Sequence, residues 1–167
     1  MEREWVVEES VAIDAGPDRV YAAVADLRRM REWSPEVVGT WIRGRAIVPG
    51  TRFVGFNRLG WRLWFTTGRV TVAEPGRAFA FRVASFGVPV ALWGFRVEGF
   101  DVDGTPRTRL TEYWEDLRRD HRGAGFVSLL GRLFTGVPAA ERAAANRRGM
   151  RATLDRIRTG VERASGT

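Results

Sequence analysis

The feature that most constrains this chain is a change of hydrophobic period near its C-terminal end. Met150, Leu154, Ile157 and Val161 are spaced four, three and four residues apart, and Ala143 and Asn146 extend the stripe backwards. Arg151, Asp155, Arg158 and Glu162 fall on the other side, where they can pair at helical spacing. The pattern predicts one long amphipathic helix over residues 139–162, opened near Pro138. Almost everything before it has the period of strands.

Trp5, Val7, Val11 and Ile13 share one parity, with Glu9 among them, which is the period of a half-buried strand. Ala15-Gly16-Pro17 interrupts it, and Pro17 suits the first position of a helix. Val20, Tyr21, Val24 and Leu27 then recur at helical spacing. A second short helical turn carries Met30 and Trp33 and ends before Ser34-Pro35, because a residue preceding proline disfavours the helical region. From about residue 37 to 118 the chain reads as strands cut by Pro49-Gly50, Asn57-Arg58-Leu59-Gly60, Glu74-Pro75-Gly76 and Asp101-Val102-Asp103-Gly104. Connections this short imply an antiparallel meander. A curved sheet with one apolar face must bury it, and the terminal helix is the element long enough to cover it. The expectation is an α+β domain over residues 1–167. About seven antiparallel strands would wrap the C-terminal helix, two short helices would follow the first strand, and a cavity would lie between sheet and helix.

Composition removes several classes of function. There is no cysteine, so disulfides, thiol nucleophiles and sulfur-ligated metals are excluded. His121 is the single histidine, and its setting among Arg118, Arg119, Asp120 and Arg122 reads as a solvated loop. No metal site and no cofactor are expected. The longest uncharged stretch, Val83–Phe95, has 13 residues and is broken by Gly87, Pro89 and Gly94, too short for a membrane span. The start, Met1-Glu2-Arg3-Glu4, lacks the basic and apolar regions of a signal peptide, which suggests a cytoplasmic protein. All 27 basic residues are arginine and the net charge is +7. The arginines are spread along the chain with no recognised motif, so solvated surface is favoured over nucleic-acid binding.

Candidate site residues follow from strand parity. Trp93, Phe95 and Val97 share a face opposite Arg96 and Glu98, and Phe79, Phe81 and Val83 likewise oppose Arg82. Trp33, Trp64, Phe81, Trp93, Phe95, Trp114 and Met150 are placed to line an apolar, stacking-competent pocket, although each could equally fill core. Glu112 shares parity with Leu110 and Trp114, while Arg109, Thr111 and Tyr113 face the other way. A carboxylate on an apolar face must find a cation or take up a proton. Glu112 is therefore a ligand anchor, a general acid/base or half of a buried ion pair. Glu9 poses the same question nearer a strand end. Asn146 lies on the apolar stripe of the terminal helix and can offer an amide to a ligand. Asn57 and Arg58 read as turn residues.

Six stretches also match a known pattern in order and spacing. They are Ile13-Asp14-Ala15-Gly16-Pro17-Asp18-Arg19-Val20-Tyr21, Trp33-Ser34-Pro35-Glu36-Val37, and Gly50-Thr51-Arg52-Phe53 through Asn57-Arg58-Leu59-Gly60, then Glu74-Pro75-Gly76-Arg77-Ala78-Phe79-Ala80-Phe81, Thr108-Arg109-Leu110-Thr111-Glu112-Tyr113-Trp114, and Asn146-Arg147-Arg148-Gly149-Met150 with Thr153-Leu154. In these the chain resembles the START-like helix-grip (SRPBCC) superfamily and, within it, bacterial polyketide cyclase/dehydrase-like proteins. The resemblance implies a deep cavity for an apolar or aromatic small molecule, polyketide- or lipid-like, without implying one reaction. The leading expectation is a small-molecule binding protein. One rival is a cyclase or dehydratase using Glu112 or Tyr113. The other is an interaction module in which the apolar segments 86–91 or 126–134 form a lid or meet a protein or membrane surface. Protein purified without chelator is expected to carry no stoichiometric zinc, iron or copper by elemental analysis, and metal bound within a monomer would overturn the ligand argument.

Overall fold

In the computed structural model, residues 4–120, 125, 129 and 141–165 are described. Strand β1 (Val6–Ile13) realises the period-two alternation: Val7 and Ile13 are buried, and Val6, Glu8, Ser10 and Ala12 are exposed. Helix α1 (Pro17–Ala25) starts with Pro17 in its first turn and buries Val20, Ala23 and Val24. A 3-10 turn (Leu27–Arg29) follows, capped by the Asp26 carboxylate, which accepts from the Arg28 backbone N–H at 3.1 Å. The single-turn helix α2 (Met30–Trp33) ends at Ser34, as the following proline requires.

The chain then meanders through β2 (Val37–Ile42), β3 (Arg52–Leu59), β4 (Arg62–Glu74), β5 (Ala78–Ser85), β6 (Val88–Val102) and β7 (Thr105–Asp116). The sheet order is β1-β7-β6-β5-β4-β3-β2, antiparallel throughout. A 3-10 turn (Leu117–Asp120) leaves β7, and helix α3 (Arg142–Ser165) closes the fold. Its buried positions are Ala143, Asn146, Met150, Thr153, Leu154, Ile157 and Val161, the stripe read from sequence. Helix α3 packs mainly along β1 and also touches α1, α2 and β7. The main core lies under its C-terminal half, where Leu154, Ile157 and Val161 meet Ile13, Val20, Phe79, Phe95 and Leu110. A second cluster under its N-terminal half joins Met150 and Ala143 to Val7, Ala91 and Trp114. This is the helix-grip arrangement.

Two turns differ from the sequence reading. Asn57 and Arg58 belong to β3, and the β3–β4 connection is Gly60-Trp61. The apolar segment 86–91 is not a loop. Only Phe86-Gly87 turns, at φ 49° and 78°, and Val88 onward is strand β6. Two successive positive φ angles are the hairpin geometry that matches strand twist, but a phenylalanine there is unusual. His121, Phe126, Leu130, Leu133, Phe134 and Pro138 lie outside the described residues.

The bend of the sheet brings side chains against bare backbone. A Cβ at Gly68 would stand 2.1 Å from the Phe53 ring, and one at Gly160 would stand 2.8 Å from Trp33. Both positions demand glycine for space. Gly68→Ala is expected to lower the melting temperature by roughly 5–10 °C, the scale of an overpacked core position. Gly39→Ala, with open space around it, is expected to change the melting temperature little. Equal melting curves for the two variants would show that Phe53 swings away without cost.

Candidate functional site

The sheet curves more than α3 can fill, and a cavity of about 420 Å³ remains between them. That is within the usual size range of small-molecule sites. Each of Trp33, Trp64, Phe81, Trp93, Phe95, Glu112, Trp114, Asn146 and Met150 lines it. They come from α2, β4, β5, β6, β7 and α3, so the site exists only when the whole sheet is closed around the helix.

Two cross-strand pairs build one wall. Trp93 stands opposite Trp114, and Phe95 opposite Glu112. The two indoles are tilted by 55° with ring centroids 6.5 Å apart, leaving ring faces for a flat ligand. Trp33 is committed structurally, because its Nε1–H donates to the Ala23 carbonyl at 3.2 Å. Leu63, Phe65 and Phe86 line the cavity and are themselves exposed, which marks its mouth.

The polar lining is sparse and mostly matched. Arg118 donates through Nε and Nη2 to the buried Asp116 carboxylate at 2.8 and 2.6 Å. Arg142 donates to Glu36 at 2.9 Å. Asn57, assigned by sequence to a turn, lines the cavity and donates to the Gly55 carbonyl at 3.3 Å. Glu36, Arg118 and Arg142 were not singled out in the sequence. Glu36 and Arg142 are 106 residues apart, and no local pattern signals their pairing.

Glu112 is the exception. It is 5% exposed, and its Oε2 has no hydrogen-bond partner among the described residues. The ion pair with an arginine that sequence left open does not form among those residues. Burial alone pushes its pKa up to about 8. At neutral pH the group is therefore a neutral carboxyl, with an O–H to donate. Glu9 stands directly across from it on β1, yet accepts from Arg151 at 3.1 Å and Arg147 at 3.3 Å. These arginines, with the Arg151 hydrogen bond foremost, hold the Glu9 pKa below its ordinary value. The cations of α3 thus serve the outer carboxylate and leave the inner one alone. Nδ2 of Asn146 and Nη1 of Arg142 are also buried without partners among the described residues. Tyr113 lies on the opposite face of β7, across Gly94 and beneath Arg96 at 5.1 Å, so it takes no part in the cavity. Among the described residues no three His, Asp or Glu side chains converge to hold a metal.

Stability should record the state of Glu112. Its raised pKa means the unfolded chain loses this proton near pH 4.5 and the folded chain near pH 8. The contribution is fully present below pH 4.5 and falls away as pH rises to about 8. Glu112→Gln should remove that decline, flattening the melting temperature between these limits and giving the variant an advantage on the order of a few kcal/mol at pH 8. Glu9 titrates in both proteins and cancels in the difference. Parallel pH profiles for the two proteins would show that Glu112 is solvated or paired.

Comparison with known proteins agrees with this geometry. The family described as polyketide cyclase / dehydrase and lipid transport matches residues 4–162. A polyketide-cyclase-like protein of Corynebacterium glutamicum is 30% identical, with 97% of this chain and 94% of that one covered at a TM-score of 0.59. The aromatase/cyclase Zhui of Streptomyces sp. R1128 is 21% identical, with 95% and 93% covered at a TM-score of 0.67. The di-domain aromatase/cyclase BexL of the BE-7585A biosynthetic pathway is 19% identical, with 94% of this chain and 46% of that one covered at a TM-score of 0.59. No curated protein matches significantly. No helix among the described residues is long and apolar enough to cross a membrane. With its sheet closed around one helix over an aromatic cavity, and with the match running from residue 4 to 162, the chain belongs to the polyketide cyclase/dehydrase and lipid transport family.

Proposed function

We propose that this protein, as one ligand-binding domain, holds a neutral, largely apolar small molecule with an aromatic or polyketide-like body in the cavity. The observation that carries the reading is an aromatic-lined cavity of about 420 Å³ whose wall holds a carboxyl unpartnered among the described residues. The charges lining it support a neutral ligand: Glu36 is matched by Arg142, Arg118 by Asp116 behind it, and Glu112 keeps its proton at neutral pH. The free hydrogen-bonding capacity of Glu112, Asn146 and Arg142 is donor capacity, so the ligand carries oxygen acceptors such as ketone or quinone carbonyls. An occupant that accepts these bonds removes the cost of leaving them unmade.

A second reading, a cyclase or dehydratase, draws support from the same carboxyl. A group titrating near pH 8 is poised to protonate a ligand carbonyl or leaving hydroxyl and to recover the proton afterwards. Tyr113, the other candidate acid, is on the wrong face. A filled interior would have favoured interaction as the sole role, and the cavity weighs against that narrower reading.

The test uses anthraquinone and anthracene, which share a ring skeleton and differ in the two carbonyls. Anthraquinone is expected to quench the emission of Trp93 and Trp114 and to bind about tenfold or more tightly than anthracene, the scale of an unmet hydrogen bond. Glu112→Leu should erase most of that preference. Glu112→Gln keeps a donor and no transferable proton, so it should bind nearly normally and, if a reaction is found, turn over about a hundredfold more slowly. No saturable quenching by either compound would defeat the cavity reading.

A further inference from the structure

The convex face of the same strands carries a second pattern. From Val37 to Val97 the chain has nine arginines and a single acid, Glu74. Strand register sorts the outward side chains of β2–β5 into three rows. Phe56 stands opposite Phe65, whose ring centroid is 6.2 Å from that of Phe86. In the next row Trp41 stands opposite Val54, Val54 opposite Thr67, and Thr67 opposite Ala84. In the last, Arg52 stands opposite Arg69 and Arg69 opposite Arg82, all three exposed. Like charges set directly across a sheet are destabilising, and none of these three has an acid partner among the described residues. Trp41 and Phe65 are 59% and 55% exposed. The aromatic row lies roughly 13 Å from the arginine row along β4, four residues at about 3.3 Å each.

We propose that this outer face docks on an anionic lipid bilayer, the aromatic row entering the headgroup boundary and the arginine row meeting phosphate groups. Two observations select this occupant. The row of Arg52, Arg69 and Arg82 is of one sign and meets no acid among the described residues, so its complement is an extended anionic surface. The apolar row runs without a break into the mouth residues Leu63, Phe65 and Phe86. A membrane seated there covers the cavity mouth, and an apolar ligand passes between hydrocarbon and cavity without crossing water. Rings at a membrane boundary and arginines near anionic headgroups are the usual elements of such contact. A nucleic acid would meet the charges but would leave Leu63 and Phe86 against water at the mouth.

Vesicle flotation tests the proposal on the full chain. The protein is expected to float with phosphatidylcholine vesicles containing about 30% phosphatidylserine, to stay behind with phosphatidylcholine alone, and to detach as salt rises. Replacing Arg52, Arg69 and Arg82 together by Gln should weaken binding about a hundredfold, each arginine contributing roughly fivefold. Trp41→Ser with Phe56→Ser, neither of which lines the cavity, should weaken binding at least tenfold with arginines intact. Both variants should keep the wild-type melting temperature and anthraquinone affinity. The proposal is overturned by absent or composition-independent vesicle binding, or by variants that bind as wild type. It is also overturned by tight binding of nucleic acid without vesicle binding, or by a solution dimer that buries this face. Vesicle binding that persists while anthraquinone fails to bind would defeat the cavity reading alone.

Discussion

The contact between α3 and the concave side of the sheet is the interaction on which the rest depends. Helix α3 is the longest of the described helices, and it covers the apolar face of the sheet along a single stripe, with α1 beside it. Its C-terminal half is closely packed: Leu154, Ile157 and Val161 sit in a cluster with Ile13, Phe79 and Leu110. Its N-terminal half presents Asn146, Met150 and Thr153 to a part of the sheet that has curved away. One helix is about 10 Å wide, so a strongly bent sheet of this size cannot be filled by it from end to end. The cavity is the remainder, and the aromatic rings are what keeps its walls apolar.

That remainder sets the electrostatics. Glu9 and Glu112 are cross-strand partners on one face, yet one keeps some exposure beside two arginines and the other is sealed. Arg147 and Arg151 of α3 reach Glu9 and go no further inward. A carboxyl left without a cation in such a place costs stability. The neighbouring pairs, Asp116 with Arg118 and Glu36 with Arg142, show that the fold can neutralise charge in this wall. Glu112 in the same wall has no such cation among the described residues.

The two faces of β3–β5 then divide the labour. Inward, Phe53, Phe81 and Val83 close the cavity. Outward, the alternate residues of the same strands gather positive charge and exposed rings. Period two makes this possible, since neighbouring positions on a strand belong to different environments.

Much of the architecture was legible in the sequence because periodicity is a local property. Alternation at Val7 and Ile13, the stripe from Ala143 to Val161 and the Ser34-Pro35 stop depend only on how a strand or a helix repeats, and each appears where the pattern placed it. Parity likewise put Trp93, Phe95, Glu112 and Trp114 on one face and Tyr113 on the other. What sequence could not supply was anything set by register or depth. Asn57 and Arg58 looked like a turn because Asn favours turns, but β3 runs two residues further and carries Asn57 into the cavity wall. The apolar segment 86–91 stood out as a lid or docking segment, but the turn takes only Phe86-Gly87 and β6 begins at once. The arginines seemed scattered because Arg52, Arg69 and Arg82 are distant in sequence and become a row only when three strands align. The same holds for Glu112: the chain determined that it faces inward, while only the tertiary structure decided that no cation among the described residues reaches it, because reach depends on how closely α3 and the sheet approach at that point.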